Sequence, residues 1–154
     1  LILEPLKIQS LLNKNINTLS GGELQKVAIA LALSRNADLI LLDEPSAFLD
    51  IEERLALSKT IKNIVEQKEI SALIVDHDLL FIDYISDRLI IFSGQPAIKG
   101  HCSSCLEMEQ GMNSFLKDMQ ISIRRDTETK RPRINKPNSV LDKKQKESGK
   151  YYYQ

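Results

Sequence analysis

Tryptophan is absent from the 154 residues and aromatic side chains make up only 5% of them, so any core must be built from aliphatic residues. No apolar run approaches the ~18 residues needed to cross a bilayer, and the first residues lack the charged-then-apolar order of a secretory signal. A transmembrane or secreted chain is therefore not expected, and the localisation read from the sequence is cytoplasmic. Cysteine occurs twice, at Cys102 and Cys105, too few for a disulfide framework in a reducing compartment. An initiating methionine is also missing. The chain starts at Leu1, inside what reads as helix or loop, and is expected to be a piece of a longer one.

What is present suits one modest globular unit with a tail, since 42% of residues are hydrophobic. The formal net charge of zero hides a division. Residues 1–123 carry 11 Lys+Arg against 17 Asp+Glu, whereas residues 124–154 carry 10 against 4. An acidic body with a basic tail fits either a nucleic-acid-facing arm or a tail folded back onto its own body.

Patterning along the chain alternates helix and strand. Ile8, Leu11 and Leu12 suggest a short amphipathic helix near the start. Ser20 followed three residues later by Glu23 is the spacing of a reciprocal helix cap, and Leu24, Val27, Ala28 and Leu31 place an apolar stripe on the expected core side. Leu39 to Leu42 read as a strand buried on both faces, stopped by Pro45. Asp50 and Glu53 repeat the capping spacing before a helix with Leu57, Ile61, Ile64 and Val65. Ser71–Val75 is the next buried strand, a third helix spans 79–86, and a strand spans 88–92. This order argues for an α/β fold with a parallel sheet flanked by helices. Past Gly100 the pattern weakens to a helix over 112–119 with Phe115, Leu116 and Met119 on one side, a strand over 121–123, and an extended basic arm over 130–154 carrying Tyr151, Tyr152 and Tyr153.

Three places could carry chemistry. Gly21 and Gly22 leave the backbone bare at a helix start, where free N–H groups and the helix dipole favour an anion such as phosphate; an ordinary capped helix is the alternative. Asp43 and Glu44 follow four aliphatic residues at the carboxyl end of a strand, where ligands bind in open α/β sheets. There Asp43 can hold Mg²⁺ through water and Glu44 can polarise an attacking water, or the pair merely ends a strand. His77 ends the next strand and can either contact a phosphate or simply meet solvent. His101-Cys102-Ser103-Ser104-Cys105 lacks the second ligand pair of a structural zinc site, and no metal is expected there.

Leu19-Ser20-Gly21-Gly22-Glu23, Leu41-Leu42-Asp43-Glu44-Pro45, Leu49-Asp50 and His77 resemble, in order, the signature motif, Walker B, D-loop and switch histidine of an ATP-binding-cassette domain. Asp43-Glu44-Pro45-Ser46-Ala47-Phe48-Leu49-Asp50 is more specifically similar to the ABC-E subfamily, the ribosome-recycling ATPases also called the RNase L inhibitor family. The segments Glu109–Lys117, Ile123–Asp126, Arg131–Lys136, Gln145-Lys146 and the closing tyrosines resemble the same subfamily's C-terminus, which generic cassettes lack. The chain is thereby read as an ABC-type P-loop fold over residues 1–100, the C-terminal part of the second cassette, followed by a hinge or tail over 101–154.

The resemblance implies ATP and Mg²⁺ as ligands. It implies that Leu19, Ser20, Gly21, Gly22, Glu23 and Gln25 face nucleotide on the opposite cassette, with Asp50 at the interface, while Asp43, Glu44 and His77 serve their own. It implies two cassettes in one chain behind a ferredoxin-like region with two iron–sulfur clusters. ATP-driven closure would then split ribosomes, with ribosomal subunits, rRNA and termination and initiation factors as partners and no membrane. No G-x-x-x-x-G-K-[ST] loop or Q-loop occurs here, so the segment alone is expected to bind ATP poorly and to be inactive. A transporter cassette and a non-enzymatic ribosome- or RNA-binding module are the rival readings.

Overall fold

The computed structural model describes residues 2–128 and 131–152. Leu1, Lys130 and Tyr153, which belong to the first segment, the basic arm and the tyrosine run, lie outside them. Two compact units divide the chain, Leu1–Ile85 and Ser86–Gln154, so the division falls ahead of the residue-100 boundary drawn from the motifs.

In the first unit two 3₁₀ turns, Gln9–Leu11 and Ile16–Thr18, replace the expected amphipathic helix; Leu6, Ile8 and Leu11 are buried, but Leu12 points outward. Helix α1 follows over Gly21–Ser34, strand β1 over Leu39–Asp43, helix α2 over Ile51–Lys68, strand β2 over Ser71–Val75 and helix α3 over Leu79–Ile85. Both capping boxes form as their spacing predicts: Ser20 with Glu23 starts α1, and Asp50 with Glu53 starts α2. Each cap side chain contributes about 1 kcal/mol. Strands β1 and β2 pair in parallel, Leu39 opposite Ser71 and Asp43 opposite Val75.

The buried face of α1 differs from the expected stripe. Lys26, Ile29 and Leu33 face the core, whereas Leu24 and Leu31 are exposed. The helix is apolar on nearly every side, so periodicity admits two faces, and the partly buried ion pair of Lys26 Nζ with Glu53 Oε1 (2.7 Å) accompanies the one adopted. Nor is β1 buried on both faces. Ile40 and Leu42 enter a core with Leu57, Ile61, Ile64 and Phe81, while Leu39, Leu41, Leu73 and Val75 line an exposed apolar face of the β1–β2 pair.

The second unit opens with β3 (Arg88–Leu89), so the strand expected over 88–92 is broken. Strand β4 (Phe92–Gln95) forms a hairpin with β5 (Lys99–Cys102), and β6 (Leu106–Glu107) returns antiparallel to β3. Helix α4 (Met108–Asp118) lies so close to β3 that a Cβ on Gly111 would come within 2.7 Å of Leu89 Cβ. Its buried side carries Met112 and Leu116; Met119 is exposed.

The basic arm is not extended. Strands β7 (Ile123–Arg125) and β8 (Pro132–Ile134) pair antiparallel, and helix α5 (Val140–Ser148) follows, capped by Ser139 and closed by left-handed Gly149. A buried polar network explains why so polar a stretch folds. Ser122 Oγ donates to Asp142 Oδ1 (2.6 Å), Asn135 Nδ2 donates to Ser122 Oγ (2.9 Å) and to Gln145 Oε1, and Gln145 Nε2 donates to the Ile123 carbonyl (3.1 Å). Every member gains a partner, which is the condition for burying such groups without penalty. The Ser122 hydroxyl, the Asn138 N–H and the Lys146 ammonium hold the Asp142 carboxyl below its ordinary range. Tyr151 and Tyr152 are buried, and the Tyr152 N–H reaches Asn113 Oδ1 (3.0 Å).

Candidate nucleotide-handling site

Every sequence-derived site residue lies in the first unit. Ser20 is the N-cap of α1: its Oγ accepts from the Glu23 N–H (3.2 Å), and Glu23 Oε2 accepts from the Ser20 N–H (2.8 Å). Those two bonds leave the N–H groups of Gly21 and Gly22 in the first turn, where no intrahelical acceptor exists. Lys14 Nζ sits 2.8 Å from Glu23 Oε1, and this bond, with the Ser20 N–H, lowers the Glu23 carboxyl to about 2. Glu23 is thus engaged within the cap, and the glycine N–H groups are the donors left for an anion.

The two carboxylates emerge at the end of β1. Asp43 continues the exposed face begun by Leu39 and Leu41. Strict alternation would send Glu44 toward the core, but its backbone is left-handed (φ 45°) and its side chain remains exposed. Its Oε1 lies 3.5 Å from His77 Nδ1, so the residues from the ends of β1 and β2 meet in solvent.

The turn between β1 and α2 joins these groups to α1. Gln25 Nε2 donates to the Glu44 carbonyl (3.1 Å), and the Glu44 N–H donates to the Val75 carbonyl (2.7 Å). Gly22 permits a close approach that no other residue would: a Cβ there would sit 2.8 Å from the Phe48 carbonyl oxygen. Asp50 caps α2 immediately beyond, its Oδ1 accepting from the Glu53 N–H (2.8 Å). Leu19 is half-buried and packs against the core.

Several contributors were not singled out from the sequence. Asp76 accepts from both the Ser46 N–H (3.1 Å) and the Ser46 hydroxyl (2.9 Å), fixing the turn to the end of β2. Asp78 caps α3 through the Leu80 N–H (2.8 Å) and pairs with Arg54, which also donates to the Leu49 carbonyl (2.9 Å). Asp76 and Asp78 flank His77, and their acidity at a strand end was the available signal. Cys102 and Cys105 are both exposed free thiols. Among the described residues no group of three or more His, Cys, Asp and Glu could hold a metal by itself, so at Asp43 a cation would take its other ligands from elsewhere. No helix among them is long and apolar enough to cross a membrane.

Comparison with known proteins gives this geometry a family. Residues 1–47 match the ABC transporter family. Over 99% of its length the chain is 57% identical to an ABC transporter ATP-binding protein of Methanocaldococcus jannaschii and 47% identical to ABC transporter E family member 1 of Arabidopsis thaliana. A structure of ribosome-bound archaeal Pelota and ABCE1 superposes over 99% of this chain and 26% of the matched one, with a TM-score of 0.95 and 52% identity. The chain belongs to the ABC-E family. It spans 25% of the length of these two curated relatives. ABC-E proteins are ATPases of the cassette type, which bind nucleotide with Mg²⁺. Asp43, exposed at the carboxyl end of a strand and beside Glu44, is a donor of the hard oxygen type that Mg²⁺ takes.

Proposed function

We propose that this chain is the C-terminal part of the second nucleotide-binding cassette of an ATPase that splits ribosomes into subunits. The observation that carries the reading is the extent and level of similarity: a vitamin B12 import ATP-binding protein of Photobacterium profundum is 35% identical over 77% of the chain, whereas the ABC-E relative of Arabidopsis thaliana is 47% identical over 99% of it, second unit included. The part of that unit over residues 101–154 is the hinge or tail region that generic cassettes lack. Its basic side chains face ribosomal RNA, and the whole protein works with ribosomal subunits and with termination and initiation factors in the cytoplasm. Two iron–sulfur clusters belong to a ferredoxin-like region outside the residues of this chain.

Roles follow from placement. Glu44, exposed and turned outward by its left-handed backbone, accepts a proton from the attacking water. His77, beside it, contacts the terminal phosphate. Asp43 would hold Mg²⁺ through water, and the bound ion would supply positive charge beside the phosphate oxygens. Ser20, Gly21 and Gly22, with Leu19, Glu23 and Gln25 supporting them, present the start of α1 to nucleotide on the opposite cassette, and Asp50 sits at that interface. The Gln25–Glu44 bond ties the start of α1 to the turn that bears Glu44.

Glu44→Gln in the full-length protein tests the assignment. ATP affinity is expected to stay within about twofold, while turnover falls on the order of 10²–10⁴-fold and the closed form accumulates on ribosomal subunits in sedimentation. Unchanged turnover would remove Glu44 from the reaction.

A further inference from the structure

Phe48 is not accounted for by the fold. Its backbone is left-handed (φ 61°), a region suited to glycine or asparagine and disfavoured for a bulky side chain. Nor does burial compensate, because the ring is 79% exposed in a chain with only four phenylalanines. The ring does have one specific neighbour. A Cβ added to Gly21 would stand 3.4 Å from both Cγ and Cδ1 of Phe48, so the ring lies beside the open start of α1 with room for about one methyl group between, while the Phe48 carbonyl approaches Gly22 more closely than a Cβ there would allow.

The surrounding bonds hold this conformation. Between left-handed Glu44 and left-handed Phe48, the Ala47 N–H donates to the Glu44 carbonyl (3.1 Å), the Leu49 N–H donates to the Ser46 carbonyl (3.3 Å), and Asp76 grips Ser46 twice. Leu49 is buried directly after it. A disfavoured conformation kept by so many contacts, with an exposed ring beside a functional helix start, belongs to the kind of strain that serves a site.

We propose that Phe48 is a positioning residue: its ring braces the start of α1 against the turn bearing Glu44, so that nucleotide engagement at Ser20–Gly22 sets the placement of Glu44 for hydrolysis. This rests on the signature and Walker B reading above. Ring and backbone contributions separate by substitution. Asparagine tolerates the left-handed backbone but removes the ring; tyrosine keeps the ring.

In the full-length protein, Phe48→Asn is expected to lower kcat about tenfold, with KM for ATP and thermal midpoint held, because catalysis loses alignment rather than ground-state binding. Phe48→Tyr is expected to restore kcat to within about twofold of the parent. Wild-type kcat in Phe48→Asn overturns the proposal, as does an equal loss in Phe48→Asn and Phe48→Tyr, or a loss in Phe48→Asn that appears only as raised KM. Glu44→Gln run in parallel separates the levels. If it fails to stop turnover, the site reading is at fault; if it stops turnover and Phe48→Asn is normal, only the role of Phe48 falls.

Discussion

Replacing Gly22 by alanine probes the closest contact between the helix start and the turn that carries Glu44. The added Cβ would lie 2.8 Å from the Phe48 carbonyl oxygen, a backbone atom that cannot rotate out of the way. Restoring an ordinary separation of roughly 3.4 Å means that α1 and the turn part by about 0.6 Å. Overpacking of this kind costs about 1–3 kcal/mol. Alanine is favoured over glycine in a helix by up to about 1 kcal/mol, which offsets part of that cost. The net is about 1 kcal/mol of local destabilisation, equivalent to about fivefold more frequent opening of the turn. Hydrogen–deuterium exchange of the full-length protein reads this at the Ala47 and Leu49 amides, whose bonds lie within the turn. Gly21→Ala is the control, since its Cβ meets only the Phe48 ring at 3.4 Å. Equal protection in both variants would refute the steric argument, because helix propensity changes alike at the two positions.

Two other expectations concern charge. The Glu23 carboxyl is held at about 2 against an ordinary 4.5, so its contribution to the cap is complete above pH 4.5 and is lost as pH falls through about 2. Carboxyl carbon shifts should give a Glu23 midpoint well below 4.5 that rises in Lys14→Ala; a midpoint at 4.5 in the parent would contradict the engaged cap. In the second unit, Asp142→Ala removes the acceptor of the Ser122 hydroxyl and of the Asn138 N–H and strands Lys146. The cost is about 3 kcal/mol, and limited proteolysis within residues 122–152 should accelerate on the order of a hundredfold; unchanged resistance would mean that the network contributes little.

What could be read from the amino acids was local. Ser20 with Glu23 and Asp50 with Glu53 declare helix starts because both partners lie within one turn. Asp43 ends β1 as expected, Glu44 follows it directly, and His77 lies two residues past the end of β2, since aliphatic runs followed by acids mark strand ends. What escaped reading depends on partners remote in sequence. Lys26 resembles a solvated lysine until Glu53, 27 residues on, is seen to pair with it. The exposed side of β1 reflects what covers the strand, a property that its own four aliphatic residues do not carry. Left-handed Phe48 and Glu44 leave no compositional trace, because neither residue type favours that conformation. The expected extended arm instead folds because partners far apart in sequence meet: Ser122 links Asp142 to Asn135, and Asn135 in turn bonds Gln145.

That network also governs how the C-terminal region can vary among relatives. An aliphatic core tolerates exchange one residue at a time, since volume is roughly interchangeable. Ser122, Asn135, Asp142 and Gln145 have no such freedom, because each presents a donor or acceptor that only its present neighbours complete. Loss of one leaves the others unmatched, so a tolerated change requires a second, compensating change nearby. The four positions, scattered over 24 residues of sequence, are therefore expected to change together rather than singly.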